Sequence, residues 1–144
     1  MLETTVPMGE PADHMRTAVI VLFHGSRAEG AADAASRVVA AVRQDAGFDS
    51  VMPAFLQHAK PDLTAAVERC IAEHASLVII VPFFLQTGMH VTADIPVIVR
   101  RLREAHPDVT IRVTDAVGSH PLMAQIVADL VRQGVDKDGP ERKD

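Results

Sequence analysis

Tryptophan and tyrosine are absent from this 144-residue chain, and phenylalanine alone supplies the 3% aromatic content. A chain so poor in aromatics offers no stacking platform for single-stranded nucleic acid, and a formal charge of −5 leaves no basic footprint for DNA or RNA. Cys70 is the single cysteine. It rules out an intramolecular disulfide and a thiolate zinc site built from one chain, and it fits a reducing compartment, so the cytoplasm is the expected location. No apolar run approaches the roughly 20 residues of a membrane-spanning helix. The G-x-G-x-x-G, P-loop and G-x-S-x-G signatures are missing, which argues against ordinary dinucleotide, nucleotide and serine-hydrolase sites. Histidine phosphatases need an arginine just before their HG pair, and Phe23 stands there.

What is present is aliphatic. Hydrophobic residues make up 48% of the chain, much of it alanine and valine, which suits close packing of helices on a sheet. The densest stretch, LVIIVPFFLQTGMHVTADIP, runs from Leu77 to Pro96. Its uncharged, β-branched start predicts a strand buried on both faces, as in the middle of a parallel sheet. Pro82 cannot donate to a ladder, so pairing should weaken there and the chain turn out of the sheet.

Three further units of the same kind follow from the pattern. Thr17 to Phe23 predicts a first buried strand. Ser26 and Glu29 have the spacing of a capping box, and an Ala- and Val-rich helix should run to Gln44, with Gly47 as its stop. Ser50 to Leu56 predicts a weaker strand, and Pro53 favours a place near an edge. Its helix should start near Pro61 and bury Leu63, Val67, Cys70 and Ile71. The helix of the Leu77 unit is expected from Val97 to about Ala105. A fourth strand, Val109 to Val113, leads through Ser119, a plausible N-cap, into a helix to roughly Gln133. Four strand-then-helix units predict a single α/β domain with a parallel sheet and right-handed crossovers over residues 17–134. Residues 1–16 carry Glu3, Glu10 and Asp13 without an apolar core, so they read as a flexible leader rather than a signal peptide; 135–144 read as a flexible tail.

The histidines concentrate the chemistry. His24, His58, His90 and His120 each follow a different predicted strand, and in a parallel sheet those exits share one rim, where open α/β sheets place their ligands. His14 lies in the leader, while His74 and His106 fall at helix ends, where a solvated ring is ordinary. His24 passes directly into a glycine. Asp94 lies four residues after His90, so in a helical turn ring and carboxylate share a face as a ligand pair or an oriented base. His120, before Pro121, suits a capping or a functional role equally. Imidazoles suit cobalt, nickel, iron and zinc and take a proton near neutral pH. Two imidazoles without cysteine partners favour a transient metal over a permanent structural one. A flavodoxin-like binding module without catalysis is the alternative on fold alone.

The motifs VLFHGSR, AFLQHAKP, VPFFLQTGMHVTADIP and AVGSHP, one after each strand, resemble those of the small CbiX-type chelatases, which insert a divalent metal into sirohydrochlorin for cobalamin or sirohaem synthesis. The resemblance spans about Ala18 to Arg132, and the glycine, histidine and D-I-P of the third motif are its most specific part. It implies a class II chelatase fold, a four-stranded parallel sheet flanked by helices, working without ATP or a permanent cofactor. It also implies a homodimer whose cleft faces the partner. His24 would be metal ligand and proton acceptor, and His90 the second ligand. Leu85, Gln86, Thr87, Gly88, Met89 and His90 would line the tetrapyrrole. Gln57 stands in a substrate-contacting position where many relatives have Glu, which puts metal preference among cobalt, iron and nickel in doubt. The many carboxylates of sirohydrochlorin need donors, for which Ser26, Arg27, Lys60, Thr87, Ser119 and helix N-terminal amides are candidates. A tetrapyrrole or metal carrier without turnover is the competing function.

Overall fold

β1 (Thr17–Phe23) divides the molecule into two layers, because alternate residues of a strand point to opposite faces. Ala18, Ile20 and Leu22 enter one core, and Val19 and Val21 enter a smaller one on the other side. The computed structural model in which this is seen describes residues 15–45, 47–86 and 88–137, without the side chains of 89–92. The expected leader up to residue 14, including His14, and the tail beyond Lys137 lie outside the described residues.

Around β1 the chain builds β2 (Ser50–Phe55), β3 (Leu77–Pro82) and β4 (Thr110–Val113) into one four-stranded sheet in the order β2-β1-β3-β4. All three pairings are parallel, with Val19 beside Val51 on one side and beside Ile79 on the other, and Ile79 beside Arg112. The α/β architecture is the expected one. β2 is an edge strand, which accommodates Pro53, and β3 ends at Pro82, where the ladder loses its donor.

α1 (Ala31–Gln44) lies over β1 and β2, where Val39 joins Val19, Val21 and Val51. α2 (Leu63–Ala72) and α3 (Met89–Ala105) cover the opposite face. They contribute Leu63, Ala66, Val67 and Cys70, and Ile95, Val99 and Leu102, to the larger core. A short 3₁₀ turn (Val117–Ser119) then precedes α4 (Met123–Lys137), which runs into the first residues of the stretch expected as tail and buries none of its residues.

Four local expectations are corrected. The Ser26–Glu29 spacing does not cap α1: Ser26 Oγ accepts the Ala28 N–H at 3.0 Å within the loop, and Gly30, in the left-handed region at φ 82°, stands at the N-cap. α2 begins two residues after Pro61, because the Asp62 carboxylate accepts the Ala65 N–H at 2.8 Å and so fixes the start. α3 begins at Met89, not Val97, and carries Pro96 inside it. Ile95, Val99 and Leu102 form one buried stripe at helical spacing, and that burial holds the residue before the proline in a helical conformation it ordinarily avoids. Ser119 likewise does not cap α4; its hydroxyl donates to the Ala116 carbonyl at 2.7 Å.

Cys70 is fully buried beside Met52, and burial, reinforced by the charge of Glu73, raises its thiol pKa. Thiolate is therefore scarce at neutral pH. The native chain should resist a thiol-specific reagent such as Ellman's, with a rate at least about a hundredfold below that of the urea-unfolded chain; comparable rates would contradict this packing.

Candidate functional site

β1 sits between β2 and β3, so the chain leaves it in one direction through α1 and comes back on the other side at β3. The strand exits therefore diverge at β1/β3, the position at which a parallel sheet opens a crevice. Residues from three of the four strand exits converge on that crevice.

At the exit of β1 the backbone is tied to its neighbours. The Phe83 N–H donates to the Leu22 carbonyl at 2.8 Å, the Leu56 N–H to the Phe23 carbonyl at 3.0 Å, and the Gln57 N–H to the His24 carbonyl at 3.1 Å. Gly25 has φ 90°, and a Cβ there would run into the Gln57 carbonyl. Glycine thus lets the exits of β1 and β2 close on each other. The result places Gln57 Nε2 3.1 Å from His24 Nδ1, with the Gly25 carbonyl 3.3 Å from the same nitrogen. The imidazole is exposed and stands edge-on to the buried Phe84, 6.4 Å between ring centres.

The same pair of exits joins Arg27 to His58. Arg27 Nε donates to His58 Nδ1 at 3.0 Å, and His58 adopts a left-handed backbone at φ 63°. That conformation is costly for a non-glycine residue, and here it carries the ring back across to β1's exit. Lys60 is exposed at the far end of this loop, before Pro61. The sequence singled out Arg27 and His58 separately; their contact links residues 31 positions apart, and spacing carries no sign of it.

The exit of β3 leads through Phe83, Phe84 and the exposed Leu85 and Gln86 to Gly88, the N-cap of α3. His90 therefore belongs to the first turn of α3 rather than to a loop, with the exposed Asp94 one turn along. The His90 and Met89 side chains and all of Thr87 lie outside the described residues. β4's exit rests on this segment: the Gly118 N–H donates to the Phe84 carbonyl at 2.9 Å, and a Cβ on Gly118 would strike the Leu85 carbonyl. His120 Nδ1 accepts the Leu122 N–H at 3.1 Å, so of its two possible roles the capping one is seen.

A feature the sequence reading missed lies beside His24. Phe23 and Phe55, partners in register, stack at 5.7 Å, and Phe83 tilts against Phe23 at 5.2 Å. With Ala31, Ala35 and Val38 of α1 they line an open, largely apolar cavity of about 420 Å³ whose walls include His24 and Gly25. The available signal was phenylalanine at matching strand ends facing an alanine-rich helix.

Chemically, the rim presents a solvent-accessible imidazole with one nitrogen engaged by an amide, on an apolar floor, with cationic side chains to one side. Among the described residues no three histidine, cysteine or acidic side chains gather into a metal-binding group. No helix among the described residues is long and apolar enough to cross a membrane.

The CbiX family model matches residues 18–134. A chloroplastic sirohydrochlorin ferrochelatase of Arabidopsis thaliana is 27% identical over 114 residues, 79% of this chain and 51% of its own length. A sirohydrochlorin cobaltochelatase of Methanopyrus kandleri is 22% identical over 141 residues, covering 84% of this chain and 99% of the relative. Among solved structures, the sirohydrochlorin chelatase SirB of Bacillus subtilis subspecies spizizenii, in complex with cobalt, superimposes with a TM-score of 0.74 at 23% identity, over 83% of this chain and 51% of SirB. That likeness establishes the fold. The chain spans about half the length of the first curated relatives it matches.

The glycines of the rim differ in what they are for. Gly88 has an ordinary φ of −66°, and a Cβ there meets none of the described residues within 4 Å. Gly25→Ala and Gly118→Ala should each lower unfolding stability by about 1–3 kcal/mol or more in urea denaturation, whereas Gly88→Ala should change it by less than about 0.5 kcal/mol. A destabilisation at Gly88 as large as at Gly25 would contradict this division.

Proposed function

The chain belongs to the CbiX family, and from that premise we propose that it inserts a divalent metal, cobalt or iron, into sirohydrochlorin without ATP, in cobalamin or sirohaem biosynthesis. The observation that carries this reading is the rim at the β1/β3 crevice, where the exposed His24 ring stands beside Phe84 with its Nδ1 3.1 Å from Gln57 Nε2. Relatives named for ferrochelatase and for cobaltochelatase support both metals.

Insertion requires the metal, here a substrate, to shed water, two pyrrole protons to leave, and the macrocycle to bend. His24 is the metal ligand and proton acceptor, and His90 the second ligand. With Nδ1 of His24 engaged by Gln57, Nε2 is the nitrogen available for this work. The tautomer depends on which end of the Gln57 amide faces the ring. An amide oxygen accepts from Nδ1–H and leaves Nε2 a lone pair, whereas the NH₂ group leaves Nε2 protonated. An acceptor on the far ring nitrogen that fixes one tautomer also raises ligand basicity. Asp94, one turn from His90, orients that second ligand.

The flat macrocycle lies along Leu85, Gln86, Thr87, Gly88 and Met89, where the lack of a side chain at Gly88 permits close approach of the backbone. Its carboxylates reach Arg27, Lys60, Ser26 and His120 at the periphery; these local donors offset the acidic net charge. Residues 17–134 form the chelatase domain, a division supported by the family match over 18–134. The protein works in the cytoplasm as a homodimer, a second copy closing the cleft.

Metal insertion followed by macrocycle absorbance tests the reading. His24→Ala and His90→Ala should each slow cobalt and iron insertion by about a hundredfold or more, the scale of a lost acid–base group. Wild-type rates in both variants would sink the mechanism, and insertion that stops at one equivalent per chain would indicate a carrier. Gln57→Glu, which can only accept from Nδ1–H, should tighten cobalt binding to the substrate-free protein by about tenfold in a calorimetric titration. Unchanged or weaker binding would show that Gln57 does not set the tautomer.

A further inference from the structure

α4 is amphipathic and bare. Leu122, just before it, and Ile126, Val127, Leu130, Val131 and Val135 recur at helical spacing along about 20 Å of axis, yet each is between 49% and 70% exposed. Gln125, Asp129, Arg132 and Asp136 occupy the opposite side, where Asp129 meets Arg132 and Gln133. A helix with this pattern is built to lie on an apolar surface.

The same chain has such a surface uncovered. α1 lies over β1 and β2, while α2 and α3 take the other face of the sheet. On α1's side, β3 presents Ile79 and Val81, both only half buried, and β4 presents Arg112 in register with Ile79. Beside them lies a cavity of about 450 Å³ whose exposed wall is largely apolar, formed by Val81, Ala116, Val117 and Pro121 with Thr114, Asp115, Ser119 and His120 among them. No helix among the described residues fills this half-layer.

α4 does not turn back to cover it. The connection from β4 is held by the Gly118 N–H on the Phe84 carbonyl, by Ser119 on Ala116 and by the His120 ring on the Leu122 N–H. These contacts fix the start of the helix at the rim while its body leaves the domain with no residue buried. One chain thus has a helix lacking a surface and a surface lacking a helix. Relatives twice the length of the shared stretch have a second stretch of comparable length in the same chain; this chain obtains it from another copy.

We propose that α4 is exchanged between two copies, the apolar face of each α4 lying on the β3/β4 half-layer of the other. The inference rests on the two-copy reading above and adds how the copies hold each other. Because each α4 starts at its own rim beside His120, the exchange also ties the two clefts together.

Cross-linking in the full chain tests it. Chains carrying Val127→Cys and chains carrying Arg112→Cys, with tags of different length, are mixed and oxidised; a covalent heterodimer is expected. Gln125→Cys, on the polar side of α4, should not link to Arg112→Cys. Ile126→Glu with Leu130→Glu, both exposed in the single chain, should leave a folded species of 15.5 kDa by light scattering where the wild type has twice that mass. A wild-type dimer that survives these substitutions and forms no Val127–Arg112 link would overturn the exchange while leaving the two-copy reading intact. A monomeric wild type would overturn both. In a chain carrying both cysteines, a link closed within one chain would mean that α4 covers its own sheet, which also overturns the exchange.

Discussion

The position of β1 governs the rest of the structure. Among the described strands it alone has two neighbours reached in opposite directions along the sheet, one through α1 and one through the return to β3. A right-handed crossover on each side puts α1 over one face and α2 and α3 over the other. The two layers, the two cores and the crevice all follow from that one reversal. A histidine at the end of β1 is therefore at the ligand-binding edge by topology, before any side chain is considered.

Hydrogen bonds and two glycines then convert the crevice into a defined rim. The backbone ties from Leu56 and Gln57 to β1's exit leave His24 little freedom in where its ring begins, and Gln57 fixes where it points. Gly25 and Gly118 do comparable jobs on opposite sides of the crevice, each admitting a carbonyl where a methyl group would stand. His24 is placed by backbone, and its ring is engaged by a side chain from the exit of the neighbouring strand.

Much of this was legible in the order of residues. β1 begins and ends where its apolar run does, β3 stops at its proline, and Pro53 marks the edge strand, because burial and missing donors act locally. Helix starts were harder to read. Ser26 and Glu29 have the spacing of a cap but use it in a loop, and Pro96 reads as a boundary although the stripe Ile95, Val99 and Leu102 carries the helix through it. In both cases long-range packing overrode a local signal. The Arg27–His58 contact, the phenylalanine cluster and the bare half-layer beside β3 depend on where strands end relative to one another, which a linear pattern does not encode.

The two glycine contacts divide the rim into two jaws. β1's exit is locked to β2's through Gly25 and Gln57, and β3's exit is locked to β4's through Gly118 and Leu85. Between the jaws runs the bond from the Phe83 N–H to the Leu22 carbonyl, close to the floor of the crevice. Such an arrangement resists shear within either jaw and concentrates compliance in a single coordinate, the gape between them. A planar guest entering edgewise would be gripped along that coordinate, with His24 on one jaw and the segment leading to His90 on the other.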